Sequence, residues 1–244
     1  MNYDKHFIAM SWNIEGIKRN VYSLCHFVSL HHPDLVFLSE SQIFSCDSLK
    51  VMEFLKKDYC FVSNSEDNHQ PEAPLIKPRA SGGTLIMWKR SLDPYIEVQP
   101  LSTTSTLPII FQPPGCSPSI HICIYLPTAG QDSQFIEELA KLSSILCHLR
   151  TTAPNAPIFL RGDFNVNNRN KKRVQIYNSF LIAESLTEIT IKHRTYHHFT
   201  GDGASDSNLD KILVSHGRET LHSVLCGFDD PLISSHHDII LSQF

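Results

Sequence analysis

Two short apolar runs, HFIAMSWN at 6–13 and DLVFLSE at 34–40, bracket a stretch in which Ile17, Val21, Leu24, Cys25 and Val28 recur at helical spacing. That periodicity predicts a helix over 17–31 packed by one face, and the His32–Pro33 step stops it. The flanking runs are too short for buried helices and suit strands. A strand–helix–strand unit of this kind sends Asn13 and Glu40 out at corresponding strand ends, where open α/β sheets gather their chemistry.

The rest of the chain repeats the theme. Residues 45–58 suit a helix with Leu49, Met52 and Leu55 on one face, and 63–78 is a polar, proline-bearing loop. GGTLIMWK, LPIIFQ and SIHICIYLP are predicted strands, the last two joined by the turn PPGCSP. Ile120, Ile122 and Ile124 alternate with His121, Cys123 and Tyr125, the pattern of a half-buried strand. Phe135, Leu139, Leu142, Leu146 and Leu149 mark a long amphipathic helix capped by Asp132 or Ser133. PIFLRGDFN then reads as a buried strand, 173–185 as a helix, and NLDKILV and HDIILSQF as two closing strands. Hairpin-like and crossover connections are mixed, so the expected class is α+β: two mixed sheets packed face to face with helices outside, an α/β/β/α sandwich. With no long linker or repeat, 1–244 is expected to be one domain, cut from a longer polypeptide because it stops on its last strand.

Composition narrows the function classes. At 41% hydrophobic and 19% charged residues the chain suits a soluble globular protein, and no apolar run reaches the roughly 20 residues of a membrane span. No signal peptide is visible at the N-terminus. Seven scattered cysteines without a C-x-x-C indicate neither a disulfide framework nor a zinc knuckle, and suit a reducing intracellular setting. A net charge of −4 argues against a protein that holds nucleic acid by charge alone, but not against an enzyme whose carboxylates gather round a metal. The one dense basic run is Arg169–Arg173, either a solvated loop or a set of phosphate contacts.

Polar residues stand just beyond the apolar strands: Asn13, Glu40, Tyr125, Asp163 with Asn165, Asp210 and the terminal histidines. Singly each has a plain explanation, since Asn and Asp after a strand are usual turn formers. Asp210 is harder to explain that way, because it lies inside a strand-like run and a buried carboxylate needs a partner. Their order lifts the set above chance. SWNIEG, LSES, IYLP, GDFN, NLDKIL and SSHHDII resemble the motifs of the exonuclease–endonuclease–phosphatase superfamily, which includes DNase I and abasic-site endonucleases, from residue 8 to the end. Within it, LHHPDLVFLSES, SGGTLIMWK, GDFNVNN and RTYHHFTGDGASDSNLDKIL look most like the endonuclease domain of LINE-type (non-LTR) retrotransposons.

The resemblance implies a DNase I-like four-layer sandwich and a metal-dependent endonuclease that nicks double-stranded DNA, leaving a 3′-hydroxyl for target-primed reverse transcription. Phosphodiester hydrolysis needs a metal to neutralise the phosphate, a base for the water and stabilisation of developing charge. Glu40 is the implied principal ligand of Mg²⁺, with Mn²⁺ as an alternative, and Glu15 a second acidic group near it. Asp163 would orient or deprotonate the water, Asn165 and Asn13 would fix it and the phosphate, and Tyr125 would donate to a phosphate oxygen. Asp210 would bond a histidine and raise its pKa. Arg169, Lys171, Lys172, Arg173, Arg194 and Tyr196 are the candidate DNA contacts, in loops (63–80, 166–173 and 192–206) that would choose the target. No small-molecule cofactor and no membrane partner are expected; the isolated domain is expected to be a monomer, intracellular, and nuclear when acting on chromosomal DNA.

The family pattern at the end is Ser-Asp-His, one residue, then apolar residues. Aligning SSHHDII on the apolar pair makes His237 the catalytic histidine and puts His236 where the family has aspartate. Sliding by one makes it His236, with Ser235 the substitute. Either way the aspartate is missing, and Asp238 compensates only if the backbone turns it inward. The alternatives are an abasic-site repair endonuclease or other phosphoesterase of the superfamily and, from another class, a catalytically impaired DNA- or protein-binding module.

Overall fold

The computed structural model describes residues 6–65, 82–191, 194–200, 203–215, 222–226 and 235–244, so residues 66–80 of the predicted loop 63–80 and part of 192–206 lie outside the described residues, while 63 and 64 end a strand instead. Two six-stranded mixed sheets form its centre. The first has the order β13 (His222–Cys226), β14 (Ile239–Gln243), β1 (Ile8–Asn13), β2 (Leu35–Ser39), β4 (Thr84–Lys89), β3 (Tyr59–Asn64). The second runs β5 (Ile96–Val98), β6 (Thr106–Phe111), β7 (Ser119–Tyr125), β8 (Ile158–Asp163), β12 (Asp210–Ser215), β9 (Leu186–Glu188). A hairpin, β10 (Tyr196–Thr200) and β11 (Gly203–Ser207), stands apart from both.

The sheets are built alike. Each has one parallel pair at its centre, β1–β2 or β7–β8, flanked on both sides by antiparallel strands. Each parallel pair is joined by a crossover helix, α1 (Ile17–His31) in the first and α3 (Asp132–Thr152) in the second. A crossover is the connection that parallel neighbours require. Ile17, Leu24, Phe27 and Val28 bury α1 against Trp12, Val36 and Leu38 on the outer face of the first sheet. Phe135, Leu139, Leu142, Leu146 and Leu149 bury α3 against Ile120, Ile122, Ile124 and Leu160 on the outer face of the second. Between the sheets, Ala9, Leu35, Phe37 and Ile86 meet Leu107, Ile109, Phe111 and Cys123. Helix, sheet, sheet and helix form the four expected layers.

Several local expectations are corrected. The strand β7 is buried on both faces rather than half-buried, because His121 and Cys123 face the other sheet while the isoleucines face α3. The helix expected at 45–58 is shorter: α2 (Ser45–Val51) passes into a single 3-10 turn at Met52–Phe54, and Leu49 is exposed while Met52 and Leu55 are buried. Neither Asp132 nor Ser133 caps α3; both lie inside its first turn, behind Gln131, which makes no side-chain cap bond. The helix expected at 173–185 starts two residues earlier, as α4 (Lys171–Ala183), with Asn170 accepting a hydrogen bond from the Arg173 amide as its N-cap.

The inner layer also holds a charge that the apolar pattern hid. Arg161 of β8 is fully buried, donates to His121 Nδ1 at 3.0 Å, and lies 5.1–5.3 Å from the rings of Phe37, Phe159 and Phe244. Burial without a carboxylate partner pushes its pKa down to about 9. Gly162 follows with φ +138; a Cβ there would stand 2.0 Å from the Ile124 carbonyl oxygen, so no side chain fits between β7 and β8.

Candidate active site

The two parallel pairs end at the same side of the sandwich, β1 and β2 packing across β8. Their C-terminal ends therefore face one another, and a chain leaving a sheet there exposes polar residues to a shared cleft. From the first sheet come Asn13, the last residue of β1, and Glu15 and Glu40 just beyond β1 and β2. From the second come Tyr125, Asp163 and Asn165.

Asp163 ends β8 at 1% exposure, and its carboxylate is held on three sides. Asn13 Nδ2 donates to Oδ2 at 2.9 Å, the Asn165 amide to Oδ1 at 2.8 Å, and Asn165 Nδ2 to Oδ2 at 3.2 Å. The Asn165 side chain is itself fixed on the Leu126 carbonyl at 2.8 Å. About one of the carboxylate's roughly four acceptor positions is left for a water. Burial and the neighbouring Asp210 carboxylate, against the pull of His237 and the two asparagine bonds, raise the Asp163 pKa to about 7. A carboxylate so placed can take a proton near neutral pH.

Asp210 opens β12 directly opposite Asp163 in the antiparallel register. Its Oδ2 lies 2.7 Å from His237 Nδ1, and both side chains are almost fully buried, at 2% and 4% exposure. Asp210 thereby fixes the proton on Nδ1 and turns Nε2 away from itself. Burial opposes the imidazolium, but Asp210, with Asp163 and Glu15 farther off, outweighs it and raises the His237 pKa to about 9. Oδ1 of Asp210 has no hydrogen-bond partner.

The segment bearing His237 hangs from β1. Trp12 Nε1 donates to the His237 carbonyl at 3.1 Å, and Ser235 Oγ donates to the Asn13 carbonyl at 2.7 Å while accepting the His237 amide at 3.0 Å. These bonds set which histidine points inward. His236 is exposed, and its Nδ1 lies 3.1 Å from Glu15 Oε1. Asp238 is buried but does not turn toward Asp163: its Oδ2 meets His197 Nε2 at 3.0 Å, tying β10 to the terminal segment.

Glu15, Glu40 and Asn165 all have positive φ, of 46°, 50° and 52°. Non-glycine residues rarely adopt this conformation, and three around one cleft indicate backbone held in place for function. Glu40 accepts from Gln42 Nε2 at 3.2 Å. Burial, then Glu40, Asp163 and Glu15, push the Tyr125 pKa well above its ordinary value, so the hydroxyl stays protonated. The expected phosphate donor therefore keeps its hydrogen. Gly82 lies against this ring, where a Cβ would be 3.4 Å from Tyr125 Cε1.

Four carboxylates thus converge, and among the described residues no lysine or arginine forms an ion pair with any of them. That unbalanced charge, with an unpartnered Asp210 oxygen, fits a divalent cation. Asp163, Asp210 and His237 offer donor atoms within 4.8 Å of one another. His237 is a poor member of such a set, because Nδ1 is engaged by Asp210 and the ring tends to protonation. Glu40 and Glu15 remain the better carboxylates for a metal and the buried triple the better proton-handling group.

The remaining candidates divide. Arg173 is corrected as a DNA contact: it is 1% exposed, donates to the Pro127 carbonyl at 2.5 Å and lies 4.1 Å over the Phe135 ring. Lys171 and Lys172 are exposed on the first turn of α4, and Arg169 and Arg194 are exposed in neighbouring loops. Tyr196 is half-buried, its ring 4.7 Å from that of His237. Sequence reasoning missed Trp12, Gln42 and Thr195, whose hydroxyl accepts the Asp210 amide at 3.2 Å; no local signal marks residues whose role is to hold another residue.

Against known proteins, the profile of the endonuclease/exonuclease/phosphatase family matches residues 10–236, nearly the whole chain, taking in Asn13, Glu40, Tyr125, Asp163 and Asp210 and ending one residue before His237. This chain belongs to that family. The family's common chemistry is attack on phosphate esters, and the cleft is furnished for it. No curated protein sequence matches the chain. Among solved structures, the abasic-site (AP) endonuclease LMAP from Leishmania major superposes with a TM-score of 0.76 at 14% identity, over 100% of this family member and 89% of that chain. The endonuclease domain of TRAS1, a telomere-specific non-LTR retrotransposon, superposes at 0.69 and 12% identity over 97% of each chain. TDP2 from D. rerio, complexed with a single-strand DNA product, gives 0.66 at 17% identity over 98% and 99%. At such identities these likenesses establish the DNase I-like fold.

Proposed function

We propose that this family member is a metal-dependent endonuclease that nicks double-stranded DNA by phosphodiester hydrolysis, leaving a 3′-hydroxyl and a 5′-phosphate. The observation that carries it is the pairing of a buried carboxylate poised near neutral pH, Asp163, with the Asp210–His237 pair beside it and Glu15 and Glu40 across the cleft. Asp163 accepts the proton of the attacking water, held for attack by Asn13 and Asn165. His237, charged and facing away from Asp210, hydrogen-bonds a phosphate oxygen and balances the charge that develops there. The protonated Tyr125 hydroxyl donates to a phosphate oxygen when substrate fills the cleft. Glu40, with Glu15 beside it, would hold Mg²⁺ or Mn²⁺, which supplies neutralisation of the phosphate. The hairpin β10–β11, fixed by the His197–Asp238 pair, supplies a rigid arm beside the cleft for contact with the duplex.

The compact superposition on a retrotransposon endonuclease domain, 97% of each chain, favours target nicking that primes reverse transcription, an act on chromosomal DNA in the nucleus. The superposition on an abasic-site endonuclease, at TM-score 0.76, is the ground for a second reading, incision at damaged sites. One assay separates them. Purified protein with Mg²⁺ is given supercoiled plasmid and, in parallel, duplexes with and without one abasic site; polymerase extension then detects 3′-hydroxyls. Extendable nicks in intact plasmid are expected, and their loss in Asp163→Ala. Nicking that survives this substitution comes from a contaminant, and incision confined to the abasic duplex gives the second reading.

A further inference from the structure

The described residues hold a second buried arginine, one that the mechanism above does not use. Arg173, in the first turn of α4, is 1% exposed, and only one of its three guanidinium nitrogens is hydrogen-bonded, Nη2 to the Pro127 carbonyl. Nε and Nη1 are buried without a hydrogen-bond partner, and the Asp132 carboxylate stands 4.0 Å from Nε. Burial acts most strongly on this group and pulls its pKa down, against the opposing pull of Asp132 and Asp163. A guanidinium buried in this way costs stability that a methionine of similar length would not. Filling space therefore does not account for it.

What its one bond holds is the segment that leaves β7 beside the cleft. Tyr125 ends β7, and Leu126 and Pro127 follow. The Leu126 amide donates to the Asp163 carbonyl at 2.9 Å, and the Leu126 carbonyl accepts Asn165 Nδ2 at 2.8 Å. That same Nδ2 reaches Asp163 Oδ2 at 3.2 Å. The Asp163 carboxylate is thus placed in part by Asn165, and Asn165 by the Leu126 peptide. The next residue, Pro127, has no N–H with which to tie itself down, and its carbonyl ends on Arg173. Arg173 is itself well anchored. Its amide donates to Asn170 Oδ1 at 3.1 Å, and its helix packs through Tyr177 on Phe164, ring centroids 5.9 Å apart, the residue between Asp163 and Asn165.

We propose that Arg173 is a positioning residue for the reaction: it pins the 125–127 segment and, through Leu126 and Asn165, holds the Asp163 carboxylate in line with the attacking water. The proposal rests on the endonuclease reading, with Asp163 as the base. Arg173 touches no reacting atom, and its burial keeps it from the DNA. Its positive charge lies within electrostatic reach of Asp163 and favours the ionised carboxylate. On that carboxylate it works with His237 of the terminal segment, Asn13 of β1 and Asn165, against burial and Asp210 of β12. Asp132 of α3 is the other carboxylate acting on the guanidinium.

The test compares Arg173→Met, which removes fork and charge at similar length, with Arg173→Lys, which keeps the charge. Nicking kinetics are measured across a pH series, with a cooperative thermal transition as the folding control. In Arg173→Met, kcat is expected to fall by about tenfold or more while KM stays within about threefold. The acid limb of kcat/KM is expected to move above its wild-type place near 7 by about half a pH unit. Arg173→Lys should return the limb to its wild-type place and bring kcat between the two, about threefold or more below wild type. In a double-mutant cycle with Asn165→Ala the losses should be less than additive, because both residues act on one carboxylate by one route. Wild-type kcat in Arg173→Met, a loss confined to KM, or additive losses in the cycle overturn the proposal. So does a lowered kcat in Arg173→Met with the limb unmoved, the sign of packing alone. Where Arg173→Met does not fold, wild-type kcat in Arg173→Lys overturns it. Titration of the Asp163 carboxyl by carbon-13 NMR, assigned with Asp163→Asn, separates the proposal from the reading beneath it. A raised midpoint in Arg173→Met of a protein that nicks nothing keeps the tie between the two residues and removes the endonuclease reading. An unmoved midpoint in a protein that nicks removes the proposal alone.

Discussion

The unit β1–α1–β2 and the unit β7–α3–β8 are topological twins, yet they bring carboxylates of opposite character to the cleft. Glu40 stands beyond the end of β2 on a residue with positive φ, partly exposed and bonded through its carboxylate to the Gln42 side chain. Asp163 is the last residue of β8 itself, 1% exposed and held by three hydrogen bonds. Moving a carboxylate a single residue past the strand end moves it from the packed interior to the wet mouth. The same connection therefore yields a carboxylate available to a cation in one sheet and one that trades a proton near neutrality in the other. Environments that differ in this way are how paired acids acquire separate tasks.

Asp163→Asn should break that contrast most severely, lowering kcat by about 10⁴-fold with no recovery at high Mg²⁺. Its stability should change in the opposite direction. A folded pKa raised to about 7 means that the unfolded state sheds its proton first, so wild-type stability falls as pH rises from about 4 to 7 and stays lower above that. Urea denaturation should find Asp163→Asn more stable than wild type at pH 8 and equal to it near pH 3.5. A less stable variant at pH 8 would show that Asp163 is held comfortably ionised.

His237→Ala should lower kcat by about 10³-fold, the scale of one charged donor at the reacting phosphate. Glu40→Gln should have a smaller effect, about 10- to 100-fold at fixed Mg²⁺, regained largely at higher Mg²⁺ or Mn²⁺. If Asp163→Asn is rescued by metal and Glu40→Gln is not, the two carboxylates have been given each other's roles.

The pH profile sharpens the same comparison. With Asp163 required as the base and His237 as the cation, kcat/KM should rise through about 7 and fall through about 9, changing about tenfold per pH unit beyond either limb. The His237–Asp210 pair adds its own stability term, present in full below about 6.5 and lost as pH rises through about 9, so alkaline denaturation should be shallower in His237→Ala. His236→Ala should be the mildest change, less than about tenfold in rate, with both limbs kept. Loss of the alkaline limb in this variant rather than in His237→Ala would reverse the assignment of the two histidines.

Much of the fold was legible. The α1 boundaries, the buried face of α3 and the four layers follow from apolar spacing, because burial of one face is what that spacing encodes. The exposed Leu49, the missing cap of α3 and the doubly buried β7 were not, since each depends on what a distant segment places alongside. The site divides in the same way. Asn13, Glu40, Asp163 and Asp210 were marked by polar residues ending or interrupting apolar runs, a local signal. Arg173, set in a basic run, carried the same signal as Arg169 and yet packs over Phe135.

What the sequence alone determined is the central strands of both sheets (β1, β2, β4, β6, β7, β8, β12 and β14) and the residue types at their ends, because hydrophobic periodicity is a property of neighbouring residues; the strands β3, β5, β9, β10, β11 and β13 carry no such local signal. Which of two adjacent histidines meets Asp210, which arginine of a basic run stays at the surface, and that Arg161 sits uncompensated between the sheets were decided by tertiary structure. Those outcomes depend on partners far away along the chain, Trp12 and Asn13 for His237, Pro127 for Arg173 and His121 for Arg161, whose closeness exists only once the two sheets have packed.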